Sequence, residues 1–175
     1  MIFKNGRLIF PNGVRDGLDL LVEDGLITAI RGQAPAMGEE IIDLQGNYLA
    51  PGFIDVHVHG AMGRDTMEAS ADAFRAICDY HTTGGTTSLL LTTATAPTKA
   101  ILGVLKAVRD WRPTQGAGDE DRAAISQIAG VHIEGPFISK AKAGAQRVSS
   151  MRNPTQTAYA PLLDYYDVIR RMTVA

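Results

Sequence analysis

The segment Asp55-Val56-His57-Val58-His59-Gly60 is the first place in the chain where side-chain type and spacing could do chemistry. The compact apolar run from Phe53 to Val58 reads as a strand. Side chains alternate along a strand, so Asp55, His57 and His59 share one face. Two imidazoles two residues apart can grip one divalent ion, or one ion of a pair; the plain alternative is a strand with two incidental histidines. Val56 and Val58 are expected to face the other way, against covering helices. The glycine-rich loop Gly60-Ala61-Met62-Gly63 then leaves room for a ligand. A second constellation is Val131-His132-Ile133-Glu134-Gly135-Pro136-Phe137. Here His132 and Glu134 share a face by the same period of two. Glu134 stands where the strand ends, and a carboxylate there can bind a metal that imidazoles hold from the side. A solvated glutamate is the ordinary alternative. Gly135-Pro136 makes a tight exit that would fix the carboxylate.

The remaining candidates carry weaker chemistry. His132 is either a hydrogen-bonded neighbour of Glu134 or a satisfied core histidine. His81 and Cys78 continue the apolar stripe of Phe74 and Ile77 and read as packing residues. Asp55 is expected low in a barrel as a polar core residue. Thr92-Thr93 end a strand and read either as turn formers or as substrate contacts. Arg64, Arg147 and Arg152 lie in loops, where one could attract a phosphate.

The elements that must position these residues follow a clear order. Residues 1–50 read as short strands: Ile2 to Phe10, Leu18 to Val22, Leu26 to Ile30, Ile41 to Leu44 and Tyr48 to Ala50. Turn signals at Pro11-Asn12-Gly13, Asp24-Gly25 and Gln45-Gly46-Asn47 separate them. From residue 51 to 175 strands and helices alternate. Phe53 to Val58 is followed by a helix capped by Ser70, with Asp72 in its first turn, and closed by Gly84-Gly85. Thr86 to Thr92 is followed by a helix starting near Pro97, with Ile101, Val104, Leu105, Val108 and Trp111 on its buried face. A loop from Pro113 to Asp121 leads to a strand from Ile128 to Ile133. Asn153-Pro154 opens a further helix with Ala158, Leu162, Tyr166 and Ile169 on one face. Met172 to Ala175 looks like the start of a fourth strand. The fold expected is α/β: a small β-sandwich module over 1–50, then the first three to four β/α units of an incomplete (β/α)8 TIM-type barrel over 51–175. In that architecture active sites lie at the C-terminal ends of the strands, where His57, His59 and Glu134 fall.

Composition excludes several classes. With 17 basic and 19 acidic residues the net charge is -2, so no basic face for nucleic acid is expected. Hydrophobic residues at 45% are enough for a core. One cysteine cannot form an internal disulfide. No apolar run approaches the ~18–20 residues of a membrane span, and Met1 to Gly6 does not read as a signal peptide, so a cytoplasmic location is the default expectation.

Pro51-Gly52-Phe53-Ile54-Asp55-Val56-His57-Val58-His59-Gly60, after a short β-module, resembles the amidohydrolase superfamily. His132-Ile133-Glu134-Gly135-Pro136-Phe137-Ile138-Ser139, with Lys142-Ala143-Gly144-Ala145, Gly84-Gly85-Thr86-Thr87 and Met172-Thr173-Val174-Ala175, is similar to the N-acetylglucosamine-6-phosphate deacetylase family across essentially the whole chain. The resemblance implies a metal-dependent hydrolase that removes the acetyl group from an amino-sugar phosphate. It implies one or two divalent ions, zinc first and iron or another ion second. Glu134 would bind the catalytic metal, and His57 and His59 would hold a second. Ala145 and Gln146 would contact the substrate; many members have His where this chain has Gln146, which cannot carry charge. The family's further histidine ligands, catalytic aspartate and phosphate-binding residues are expected downstream of Ala175, so no catalytic residue is assigned here. A barrel typically needs ~250 residues, and the chain is therefore expected to be an N-terminal fragment, inactive alone.

Two other readings remain. One is a cyclic-amide or deaminating hydrolase of the same superfamily. The other is a non-catalytic half-barrel completed by a partner chain; its exposed strand edge would favour association, so a homo-oligomer is a possible state.

Overall fold

A computed structural model of the chain describes residues 1–33, 38–112 and 125–175. The loop expected over Pro113 to Asp121 lies outside the described residues. The chain divides into two compact units, Met1–Pro51 and Gly52–Ala175.

The first unit is all β. Its strands are β1 (Ile2–Lys4), β2 (Arg7–Phe10), β3 (Gly13–Arg15), β4 (Asp19–Glu23), β5 (Leu26–Arg31), β6 (Ile41–Asp43) and β7 (Tyr48–Leu49). They form one sheet in the order β5-β4-β1-β6 and another in the order β3-β2-β7. Asp24 and Gly25 both have positive φ (50° and 75°), the mirror-image turn whose twist suits a two-residue hairpin between β4 and β5. The run expected from Ile2 to Phe10 is two strands, broken at Asn5, whose φ is 57°. An apolar cavity of about 390 Å³ is lined from both sheets, among others by Phe3, Leu8, Leu20 and Leu49.

The second unit is built on β8 (Phe53–Val58), β9 (Gly60–Ala61), β10 (Arg64–Asp65), α1 (Ala71–Thr83), β11 (Thr86–Thr92), α2 (Thr98–Trp111), β12 (Gln127–Glu134), α3 (Gln156–Leu163) and β13 (Ile169–Thr173). Strands β8, β11, β12 and β13 form a parallel sheet in sequence order. The chain returns to the same end of the sheet after each strand, so the C-terminal strand ends gather on one side.

The core follows from the two periodicities. Val58, Leu89, Leu91, Val131 and Ile133 point to one side of the sheet and pack with Phe74, Ile77, Ile101, Leu105 and Val108 of the helices. The stripe read from the sequence of α1 is therefore its buried face. Ser70 caps that helix, its Oγ accepting from the Ala73 N–H at 3.3 Å. Cys78 lies fully buried on the stripe, and burial pushes its thiol up to about 12. The native protein at pH 8 is expected to leave Ellman's reagent unreacted and to release one equivalent only on denaturation; rapid labelling of the folded chain would contradict the packing.

Three expectations need correction. Val56 does not pack under helices: it is 44% exposed, whereas Val58 on the same face is 4% exposed within the core cluster. The loop after His59 is not open chain. It forms the β9–β10 ribbon, turning at Met62 and Gly63 (φ 53° and 75°) and running into a 3-10 turn at Thr66–Glu68 that Asp65 and Glu68 cap reciprocally. The third helix stops at Leu163. Pro161 lies inside it and offers no N–H. Tyr166 is 77% exposed, and Ile169 opens β13 by pairing with Val131, so the fourth strand begins three residues before Met172. Among the described residues, no helix is long and apolar enough to cross a membrane.

Candidate metal centre

The sheet face opposite α1 and α2 carries the polar side chains. On β12 the residues between Val131 and Ile133 and after it are His132 and Glu134; beside Val58 of β8 stand His57 and His59. The parallel sheet brings these together although about 75 residues separate them. One ligand atom from each of His57, His59 and Glu134 can be chosen so that all three lie within 4.8 Å of one another.

His59 is held by both ring nitrogens. Its Nδ1 lies 3.1 Å from the carbonyl oxygen of Thr92, which can only accept, so Nδ1 carries the proton. Its Nε2 lies 3.0 Å from Oε2 of Glu134. In the neutral ring that nitrogen is a lone pair facing a carboxylate oxygen. Two acceptors at this distance need a cation between or beside them, either a proton or a metal ion. Thr92 is itself fully buried and pinned, its Oγ1 accepting from the Val58 N–H at 2.9 Å. It ties the end of β11 to β8 and sets where His59 points. This role replaces the turn-forming one read from the sequence.

Glu134 is oriented from a second direction. Gln146 donates from Nε2 to Glu134 Oε2 at 2.8 Å, and its Oε1 accepts the Thr95 N–H at 2.8 Å. The amide is thus a brace between the loop after β11 and the carboxylate. Gln146 keeps a second N–H hydrogen beyond this bond. Gly135 follows Glu134 with φ 76°, and a Cβ there would stand 2.0 Å from Thr95 Oγ1.

His57 is exposed and meets His59 edge to face at a centroid distance of 4.9 Å. Its Nδ1 lies 3.1 Å from Nδ1 of His132. His132 is 1% exposed, and its Nε2 lies 2.8 Å from Thr173 Oγ1. Burial, reinforced by Arg171 and His57, holds His132 below the ordinary imidazole range, so the ring is neutral at pH 7. Of the two sequence readings of this histidine, the satisfied buried one describes it: its hydrogen-bond partners are His57 and Thr173 rather than Glu134.

Other expected residues stand apart. Ala145 is exposed in the turn that carries Gln146. Asp55 is half-buried and accepts the His57 N–H through Oδ1 at 3.0 Å, so it braces the strand rather than filling a core. Arg64 pairs with Glu68 at 2.9 Å and Arg152 donates to Thr98 at 3.0 Å. Arg147 precedes the 3-10 turn Val148–Ser150 and makes no side-chain cap to it. His81 packs edge to face on Tyr80 in the last turn of α1. Sequence reasoning did not anticipate Thr95 or Thr173; neither stands in a pattern that signals its partner.

Two imidazoles and one carboxylate are a donor set that suits zinc, iron and similar divalent ions. The acceptor pair at His59 and Glu134 is what such an ion would relieve, so the residues present fit a metal.

The Amidohydrolase family matches residues 48–165. An N-acetylglucosamine-6-phosphate deacetylase of Lysinibacillus sphaericus is 32% identical over 158 residues, which are 88% of this chain and 38% of that protein. An N-acetylgalactosamine-6-phosphate deacetylase of Escherichia coli O157:H7 is 31% identical over 144 residues. The crystal structure of N-acetylglucosamine-6-phosphate deacetylase from Pasteurella multocida superposes with a TM-score of 0.84 at 31% identity, covering 99% of this chain and 44% of that one. The chain thus spans about two-fifths of the length of the relatives it matches. The strand order, the paired histidines at one strand end and the glutamate at another all lie within or beside the matched segment, and the chain belongs to the amidohydrolase family.

Proposed function

We propose that this protein is a metal-dependent deacetylase that hydrolyses N-acetyl-D-glucosamine 6-phosphate to D-glucosamine 6-phosphate and acetate. The observation that carries the reading is the convergence of His57, His59 and Glu134 at the C-terminal strand ends. The 31% identity to a deacetylase of that name over 99% of the chain supports the substrate class. The parallel order β8-β11-β12-β13 fits the opening strands of a closed (β/α)8 barrel, whose reactions take place at this end.

An amide is a stable bond, water is a poor nucleophile and the amine is a poor leaving group. A bound divalent ion, zinc first and iron second, supplies a more acidic water and polarises the acetyl carbonyl. Glu134 and His59 would hold such an ion, and His57 would contribute to the same ion or to a second. Thr92 fixes the tautomer of His59, leaving Nε2 as the ligand atom. Gln146 orients the carboxylate and offers its second N–H to the sugar, with Ala145 beside it. No residue of this chain is assigned the proton transfer: Asp55 spends Oδ1 on the backbone of its own strand. A charged sugar phosphate does not cross membranes unaided, which fits a cytoplasmic enzyme.

A second reading has one observation behind it: a dihydroorotase of Bacillus cytotoxicus is 40% identical over 86 residues, 44% of this chain. Dihydroorotase acts on a cyclic amide. The test uses the protein purified from its native locus, assayed for acetate release from N-acetylglucosamine 6-phosphate and N-acetylgalactosamine 6-phosphate, and for ring opening of dihydroorotate. Acetate release that a chelator abolishes and zinc restores is the expected result. Turnover of dihydroorotate with neither acetylated sugar touched would replace the deacetylase by the cyclic amidase.

A further inference from the structure

His57 reaches the metal centre from the edge strand β8 and is exposed, so nothing in its own segment fixes which ring nitrogen bears the proton. Its Nδ1 is already engaged, 3.1 Å from Nδ1 of His132. Two Nδ1 atoms at that distance form a hydrogen bond only if one carries a proton and the other a lone pair. The next link is His132 Nε2, 2.8 Å from Thr173 Oγ1. A hydroxyl both donates and accepts, so Thr173 closes the chain in either direction. The three residues therefore have two self-consistent states. In one, His57 Nδ1–H donates to His132 Nδ1, and His132 Nε2–H donates to Thr173. In the other every bond is reversed, and the His57 proton sits on Nε2.

Only the first state leaves the His57 Nε2 lone pair free for a metal. We infer that His132 is a positioning residue: through the His57–His132–Thr173 hydrogen-bond chain it holds His57 as the Nδ1–H tautomer, with Nε2 turned to the metal. This rests on the metal-binding reading of His57, His59 and Glu134. The same device serves His59, where the Thr92 carbonyl takes the Nδ1 proton at 3.1 Å. A carbonyl imposes one tautomer; a histidine allows two, so the His57 side depends on a residue buried between β11 and β13 in the sheet order. Partners of this kind set the orientation and basicity of a ligating imidazole, and their loss costs roughly 10–100-fold in metal affinity.

The test has two readouts on the full chain. Imidazole nitrogen NMR of the zinc-loaded protein is expected to show His57 protonated on Nδ1 and His132 protonated on Nε2. Zinc affinity by chelator competition is expected to fall ~10–100-fold in His132→Leu. His132→Asn should recover most of that loss, because its amide oxygen occupies the Nδ1 position and accepts from His57. A merely structural role would not be rescued this way, and the NMR readout needs no variant. Zinc binding that is unchanged in a folded His132→Leu protein, or a His132 proton on Nδ1 in the zinc complex, would overturn the inference while leaving the metal site standing. Failure of the unaltered protein to bind zinc would overturn the metal reading and this inference with it.

Discussion

Replacing Glu134 by Gln is expected to weaken zinc binding by more than ~100-fold, since loss of a residue that merely orients a ligand already costs roughly 10–100-fold. It is expected to remove metal-dependent acetate release as well. The substitution keeps volume and hydrogen-bonding capacity but takes away the one negative charge among the three donors. In the metal-free protein one contact is gained and one lost: an amide N–H at the Oε2 position can donate to the His59 Nε2 lone pair at 3.0 Å, but it opposes the Gln146 Nε2–H that the same oxygen accepts at 2.8 Å. The two effects separate in thermal melts. At free zinc of 100 times the dissociation constant, the unaltered protein should gain about 2.7 kcal/mol of stability, and the variant almost nothing. Equal zinc stabilisation of both proteins would remove Glu134 from the metal site.

The second large effect is structural and lies one residue on. Gly135→Ala is expected to destabilise the protein by about 2–5 kcal/mol, read from the urea midpoint. Two independent terms contribute. Gly135 has φ 76°, a left-handed conformation that costs an L-residue about 1–2 kcal/mol. The added Cβ would also stand 2.0 Å from Thr95 Oγ1 and 3.1 Å from Thr95 Cα, and overpacking of this kind costs about 1–3 kcal/mol. Thr95 is 5% exposed and its N–H is held by Gln146, so it cannot yield freely. Its displacement would carry Gln146 away from Glu134, and zinc affinity should fall along with stability. Adding Thr95→Ala should return part of the overpacking cost and none of the backbone cost, a non-additivity that a double-mutant cycle measures. A loss below 1 kcal/mol in the single variant would mean that Thr95 yields freely to the added methyl.

Some elements were legible because their signals are local. Phe53–Val58 and Thr86–Thr92 are strands with the bounds their apolar and β-branched runs indicate. Ser70 and the glycines after Thr83 bracket α1 because caps act within one turn. The third helix departs from its spacing where a longer-range force prevails. Tyr166 and Ile169 continue the helical spacing, yet ladder pairing with Val131 draws Ile169 into β13. The β9–β10 ribbon is not legible in the sequence, because two-residue strands carry no periodicity of their own.

The candidate site divides in the same way. Period-two alternation by itself put His57 with His59, and His132 with Glu134, each pair on one strand face, and it placed both pairs at strand ends. A strand's own geometry fixes those statements, so the sequence suffices for them. Which strands lie side by side is decided by long-range packing, and it was the parallel sheet that carried His59 to within 3.0 Å of Glu134 and His57 to within 3.1 Å of His132. Tertiary structure alone also decided that Thr92 takes the proton side of His59, that Gln146 braces Glu134 and that Thr173 closes the chain behind His132. Hydrogen bonds between residues 33, 12 and 41 positions apart are set by where the backbone runs in space, and no spacing along the chain encodes them.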